Sequence, residues 1–291
     1  MFFGLSNFLK KILPKRLFYR ALLIVAFPVL ILQLIITIVF FDSLWIKTNK
    51  GMTRALINEI NLFVEVYDNK KIDKEEFHKH FIDSDFYDKY PFDNIPKNYS
   101  TLVSKYGEDN IKKYGIAPWT IKETSDRIID LLKRNQFEEA VYNMGVLGHY
   151  ISDLHMPLHT VINYDGQFSG NEGIHKRWEL HLVNKYIKNI KPVGEIETVE
   201  DPWTFSMKIV KESFKAHHLI LEADTKARKL LTKEQAEKLK SYETLSFEKP
   251  YLDVLFAETG DLLRDRLGRA VIRLASIWKY CWEEAGKPEL P

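Results

Sequence analysis

The apolar positions of this 291-residue chain fall into two regimes. Residues 21–41, ALLIVAFPVLILQLIITIVFF, carry no charge. A helix of that length rises about 31 Å at about 1.5 Å per residue, enough to cross the hydrocarbon core of a bilayer. Pro28 inside the run is tolerated in membrane helices. Beyond Phe41, apolar residues return every three or four positions among charged ones, the period of amphipathic helices. Residues 52–66 place Leu56, Ile60, Phe63 and Val64 on one face. Residues 70–118, punctuated by Pro91, Pro96, Gly107 and Pro118, read as irregular. Thr120 with Glu123 forms a capping-box pair that starts a helix running to about Arg134. A second helix over 137–154 is kinked or stopped by Pro157. Residues 163–173, rich in glycine and asparagine, form a loop, and a helix follows over 174–188. Further helices are predicted at 204–224, 233–241 and 251–285, with no alternating run long enough to found a sheet. The expected fold class is all-α.

Charge gives the apolar run its direction. Residues 1–20 contain Lys10, Lys11, Lys15, Arg16 and Arg20 and no acid. A basic tail before a span of this length predicts a single-pass anchor with a cytoplasmic N-terminus, and no small-residue cleavage site follows it. The chain therefore divides into a basic tail (1–20), a transmembrane helix (21–41), a juxtamembrane helical segment (42–75) and a domain (76–291). That domain is expected on the extracytoplasmic side of the inner membrane. A net charge of +2 argues against a broad nucleic-acid footprint. The lone cysteine, Cys281, excludes an intramolecular disulfide.

The candidate chemistry is concentrated in 149–179. His149 and Asp153 are four apart on a predicted helix, one turn above the other on one face. His175 and Glu179 repeat that spacing on the next helix, and His159 lies between, just past Pro157. Nitrogen and oxygen donors of this kind suit zinc. His155 points off the ligand face, where it either supports a ligand or does nothing. His181, His217 and His218 read as surface or helix-packing residues. Phe86, Tyr87 and Tyr90 either line a cleft or fill the core, and the basic residues of 262–273 read as a solvated helix face.

The stretch GHYISDLHMPLHTVINYDGQFSGNEGIHKRWE resembles the superfamily of zinc-dependent phospholipase C and single-strand-specific nucleases. Its signature is H-x-x-x-D-x-x-x-P-[LM]-H, a glycine- and asparagine-rich loop, then H-x-x-x-[DE]. The likeness extends more weakly over 76–290, through GIAPWTI at 115–121 and the closing helix ending IWKYCWEEAGKP. The resemblance implies an all-helical domain and a phosphodiester substrate, either a phospholipid or single-stranded nucleic acid. It implies His149 and Asp153 as ligands of one zinc, and His159, His175 and Glu179 as ligands of a second. KHFIDSD makes His80 an upstream ligand by the same likeness, and Asp68, twelve residues earlier, a bridging ligand, with Asp73 the alternative. Asp68 or Asp153 would assist proton transfer. Glu179 at the last ligand position is more similar to the bacterial phospholipases than to the fungal nucleases.

Two features depart from that pattern. The family's third zinc uses an N-terminal tryptophan and a nearby histidine, where this chain has Trp45 and Lys50, and a protonated lysine is no substitute for imidazole. Two zinc ions are therefore expected. Residues 13–68 resemble instead the anchor of membrane sensor histidine kinases, with the seam at 66–76. A non-catalytic, zinc-stabilised sensor domain is the alternative that this anchor suggests.

Overall fold

In a computed structural model, residues 74–289 are described, apart from 242 and 244. The expected membrane helix, the helix at 52–66, Trp45, Lys50, Asp68 and Asp73 lie outside them. Among the described residues there is no strand, and no helix is long and apolar enough to cross a membrane. The all-α expectation holds for this part of the chain.

Four short helices occupy the region read as irregular: α1 (Lys74–Phe77), α2 (Ser84–Tyr87), α3 (Tyr99–Tyr106) and α4 (Glu108–Tyr114). Each is a turn or two long, so its apolar period is too brief to register as a repeat. Local capping sets α3 nonetheless, where the Asn98 side chain accepts from Thr101 N. Next come α5 (Ala117–Lys133) and α6 (Phe137–His155), joined through Asn135 at positive φ. The start of α5 corrects the capping-box reading. Its cap is Ile116 and Pro118 lies in its first turn, where a missing N–H costs nothing, so Thr120 is already inside the helix and buried.

A 3₁₀ turn, Pro157–Thr160, follows α6. Then α7 runs in three parts: α-helical Ile174–Lys176, a π-helical stretch over Arg177–Leu182, and α-helical Val183–Tyr186. Finally come α8 (Pro202–Arg228), the short α9 (Lys233–Lys238) and the 37-residue α10 (Glu248–Glu284). The core is a packed group of α5, α6, α8 and α10. One apolar cluster joins Ile121, Ile128, Leu147, Ile151 and Ile277, and another joins Trp178, Ile220, Tyr251 and Leu255. Cys281 is buried in the first, and burial pushes its thiol up to about 12.

Of the basic residues of 262–273, Arg264 and Arg269 keep the solvent access expected of them, while Arg266 and Arg273 turn inward. Arg266 and Arg273 are 5% and 2% exposed, because carboxylates on other segments reach them inside the bundle. Arg273 grips Glu212 through Nη1 and Nη2 at 2.8 and 2.7 Å and also reaches Glu197 at 3.1 Å. Arg266 Nε donates to His155 O at 3.2 Å, which satisfies a carbonyl at the end of α6. His155 itself is buried, its Nδ1 donating to Ile151 O at 2.7 Å. Of the aromatics considered for a cleft, Tyr87 is buried and Phe86 stacks on Tyr114, so both are core, while Tyr90 stands 42% exposed over Phe214.

Candidate metal centre

Four segments converge at the end of α6. Leu147, Ile151 and Leu154 turn that helix's apolar face into the core. His149 and Asp153 lie on a neighbouring face, with His149 Nε2 3.1 Å from Asp153 Oδ2. Met156 is extended, as the residue before a proline prefers, so the chain bends and the 3₁₀ turn carries His159 back over Asp153. His159 Nδ1 stands 3.7 Å from Asp153 Oδ1.

His80 arrives from far away in sequence on a segment clamped by backbone bonds. Ile82 N donates to His159 O at 2.9 Å and Asp83 N to Tyr114 O at 2.8 Å. Ile116 N and Ala117 N close the other side on His78 O and Phe81 O. Gly115 makes that closure possible, since a Cβ there would stand 2.2 Å from Phe81 O and its φ is +81°. The result puts His80 Nδ1 2.9 Å from Asp153 Oδ2. Glu76, four residues before His80, accepts from the Tyr150 hydroxyl and from Lys79 at 2.8 Å.

His175 is oriented by the loop before it. Asp165 accepts from Gly173 N and His175 N at 3.0 and 3.1 Å, satisfying donors at the head of α7. Gly173 is required there, because a Cβ would stand 1.9 Å from Leu239 O. The Tyr164 carbonyl can only accept, so His175 Nδ1, 3.1 Å away, donates to it and Nε2 is left to face the site. His175 Nε2 lies 3.1 Å from Glu179 Oε2 and 3.1 Å from His159 Nε2. The π-helical stretch begins two residues after His175, and wide turns of this kind recur at functional sites.

Two three-donor groups result, His80/His149/Asp153 and His159/His175/Glu179, each with donor atoms within 4.8 Å of one another. Asp153 joins them, with one oxygen in the first group and the other facing His159. All six residues are those anticipated from sequence. Burial opposes charge on His159, but Glu179 and Asp153 outweigh it and hold the imidazole up at about 9. His149 is raised by Asp153 against the same opposition. Burial also opposes the charge of Asp153, yet His149, His80 and His159 keep its carboxyl well below the usual range.

Such a cluster, its imidazoles and carboxylates mutually paired, is the donor arrangement of a cation site. The donor set fits two divalent cations, each with three protein donors and room for further ligands. The buried His159 Nδ1 supports that fit, since it finds no hydrogen-bond partner among the described residues. Neither Asp83 nor Glu76 stands out in the sequence. The only available signal was the acid-x-acid after His80 and an acid four residues before it.

A pH effect follows. His159 has a folded pKa near 9 against an unfolded value near 6.5, so its contribution is complete below pH 6.5 and lost as pH rises through 9. Metal-free protein should lose up to about 3 kcal/mol over that window. Thermal melts in chelator at pH 6.5 and 9.5 measure it; a melting temperature that rises with pH would refute the assignment.

No family model matches the chain, and no curated protein matches it.

Proposed function

We propose that this protein is a zinc-dependent phosphodiester hydrolase of phospholipase C type, held at the inner membrane by residues 21–41, its domain on the extracytoplasmic side. The observation that carries the reading is the pair of three-donor groups, with Asp153 of the first 3.7 Å from His159 of the second. Zinc ions held there would neutralise phosphate oxygens and supply a nucleophile at neutral pH. The chain's own part is to fix those donors. Tyr164 O and Asp165 set His175, the 3₁₀ turn sets His159, and the clamped segment before Ser84 sets His80. Asp68 or Asp153 would assist the proton transfer, and Asp68 remains a proposed bridging ligand.

Phospholipid is preferred over single-stranded nucleic acid because Glu179 stands at the last ligand position and because an anchor of this kind keeps the domain beside its substrate. The test uses the full chain in detergent, scored for zinc content and for turnover of a phosphatidylcholine analogue and of single-stranded DNA. We expect two zinc ions per chain and release of a phosphorylated head group from the lipid. Activity on DNA alone would replace the lipid reading, and two ions with no turnover of either substrate would favour the zinc-stabilised sensor domain.

A further inference from the structure

The segment after His80 is stitched to the His159 turn residue by residue. Ile82 N donates to His159 O at 2.9 Å, Ser84 Oγ donates to Thr160 O at 2.7 Å, and Ile162 N donates to Asp85 Oδ1 at 2.9 Å. Residues 82, 84 and 85 are thereby accounted for. Asp83 lies among them, and its carboxylate takes no part in the stitching. It is 5% exposed, and its Oδ1 finds no hydrogen-bond partner among the described residues.

A carboxyl group in that position is expensive in either protonation state. Ionised, its Oδ1 lacks the donor that a buried charged oxygen requires; protonated there, it lacks an acceptor for the O–H. Burial accordingly pushes it up to about 8, and the nearby charge of Asp85 adds to this. The group that favours its ionised form is His159, one of the three donors of the second group. Asp83 also acts on the phenols of Tyr87 and of Tyr164, the residue whose carbonyl orients His175. The bonds from Ile82 N to His159 O and from Ser84 Oγ to Thr160 O hold the residues on either side of Asp83 against the turn that carries His159, yet its carboxylate is not one of the donor atoms lying within 4.8 Å of one another there.

We propose that Asp83 is an outer-sphere carboxylate for the cation held by His159, His175 and Glu179, supplying a balancing negative charge and a hydrogen-bond acceptor for that cation's solvent. It is a positioning residue, and the proposal rests on the two-cation reading above. A divalent cation next to Asp83 resolves the isolated charge, and the charge in turn strengthens the hold on the cation. Outer partners of metal ligands commonly contribute a factor of about 10–100 in affinity.

The test is zinc titration of the full chain against a chromophoric chelator, comparing Asp83→Asn with the parent. His149→Ala and His175→Ala backgrounds isolate the two sites. We expect the site left in the His149→Ala background to weaken about 10- to 100-fold on Asp83→Asn, and the other site to stay within about twofold. The melting temperature of metal-free Asp83→Asn should match or exceed that of the parent, because the substitution removes an isolated buried carboxyl. Unchanged affinity at both sites would overturn the proposal. So would equal weakening at both sites with a lower metal-free melting temperature, which marks a structural role. A parent chain that binds fewer than two zinc ions defeats the two-cation reading itself, and this proposal with it, before any variant is compared.

Discussion

Asp153→Ala should remove one zinc ion per chain, weaken the other and reduce hydrolysis to background. Among the described residues Asp153 is the carboxylate that reaches both donor groups: Oδ2 lies 2.9 Å from His80 and 3.1 Å from His149, while Oδ1 faces His159 at 3.7 Å. In the metal-free protein the loss leaves three largely buried imidazoles without their shared carboxylate. Breaking a buried charged cluster by removing one partner typically costs about 3–5 kcal/mol. The loaded protein loses more, since each ion present at about a hundred times its Kd stabilises the folded state by about 2.7 kcal/mol. Zinc should therefore raise the melting temperature of the variant much less than that of the parent. Atomic absorption of the purified chain and melts with and without chelator separate the two contributions. A variant retaining two ions and a parent-like zinc-induced shift would show that Asp153 is not the shared ligand. At neutral pH, Asp153→Asn is the stricter comparison, keeping the shape and one acceptor oxygen while losing the charge that binds the cation.

What could be read from the sequence follows from how local each feature is. The His149/Asp153 and His175/Glu179 pairs depend only on helical spacing, and the bend at Pro157 only on ring chemistry, so all survive in the structure. The short helices α1 to α4 leave little trace in the pattern because they are held by contacts with the rest of the bundle, as when the Tyr87 hydroxyl donates to Gly115 O at 2.8 Å. A solvated face is the natural reading of Arg266 and Arg273 from sequence because their partner Glu212 sits on α8, which no pattern within α10 can announce. Asp83 is silent in the sequence for a related reason. Within HFIDSD it differs in no way from Asp85, and only the fold gives Asp85 a backbone donor and leaves Asp83 without one.

Arg177→Ala should be among the most destabilising single changes outside the donor set, and its effect should fall on one metal site. Arg177 is 1% exposed, at the start of the π-helical stretch between His175 and Glu179. Its Nη1 pairs with Glu248, while Nε and Nη2 donate to Leu239 O at 3.2 and 3.0 Å and Nη2 reaches Ser241 O at 2.7 Å. One side chain thus binds α7 to the start of α10 and to the loop lying over Gly173. Removing it leaves Glu248, 2% exposed, with His181 at 2.6 Å and Leu245 N as remaining partners. The expected cost is about 3–5 kcal/mol. At about 2–4 °C per kcal/mol for a domain of this size, the melting temperature should fall by roughly 6–20 °C. Loosening α7 should also weaken zinc at His159/His175/Glu179 while sparing His80/His149/Asp153, whose supports come from α1, α6 and the Gly115 closure. The double variant Arg177→Met, Glu248→Leu is the decisive control. If the pair is a coupled buried charge, removing both partners should cost less than the sum of the single changes, whereas strict additivity would mean that Arg177 acts only through the carbonyls of Leu239 and Ser241.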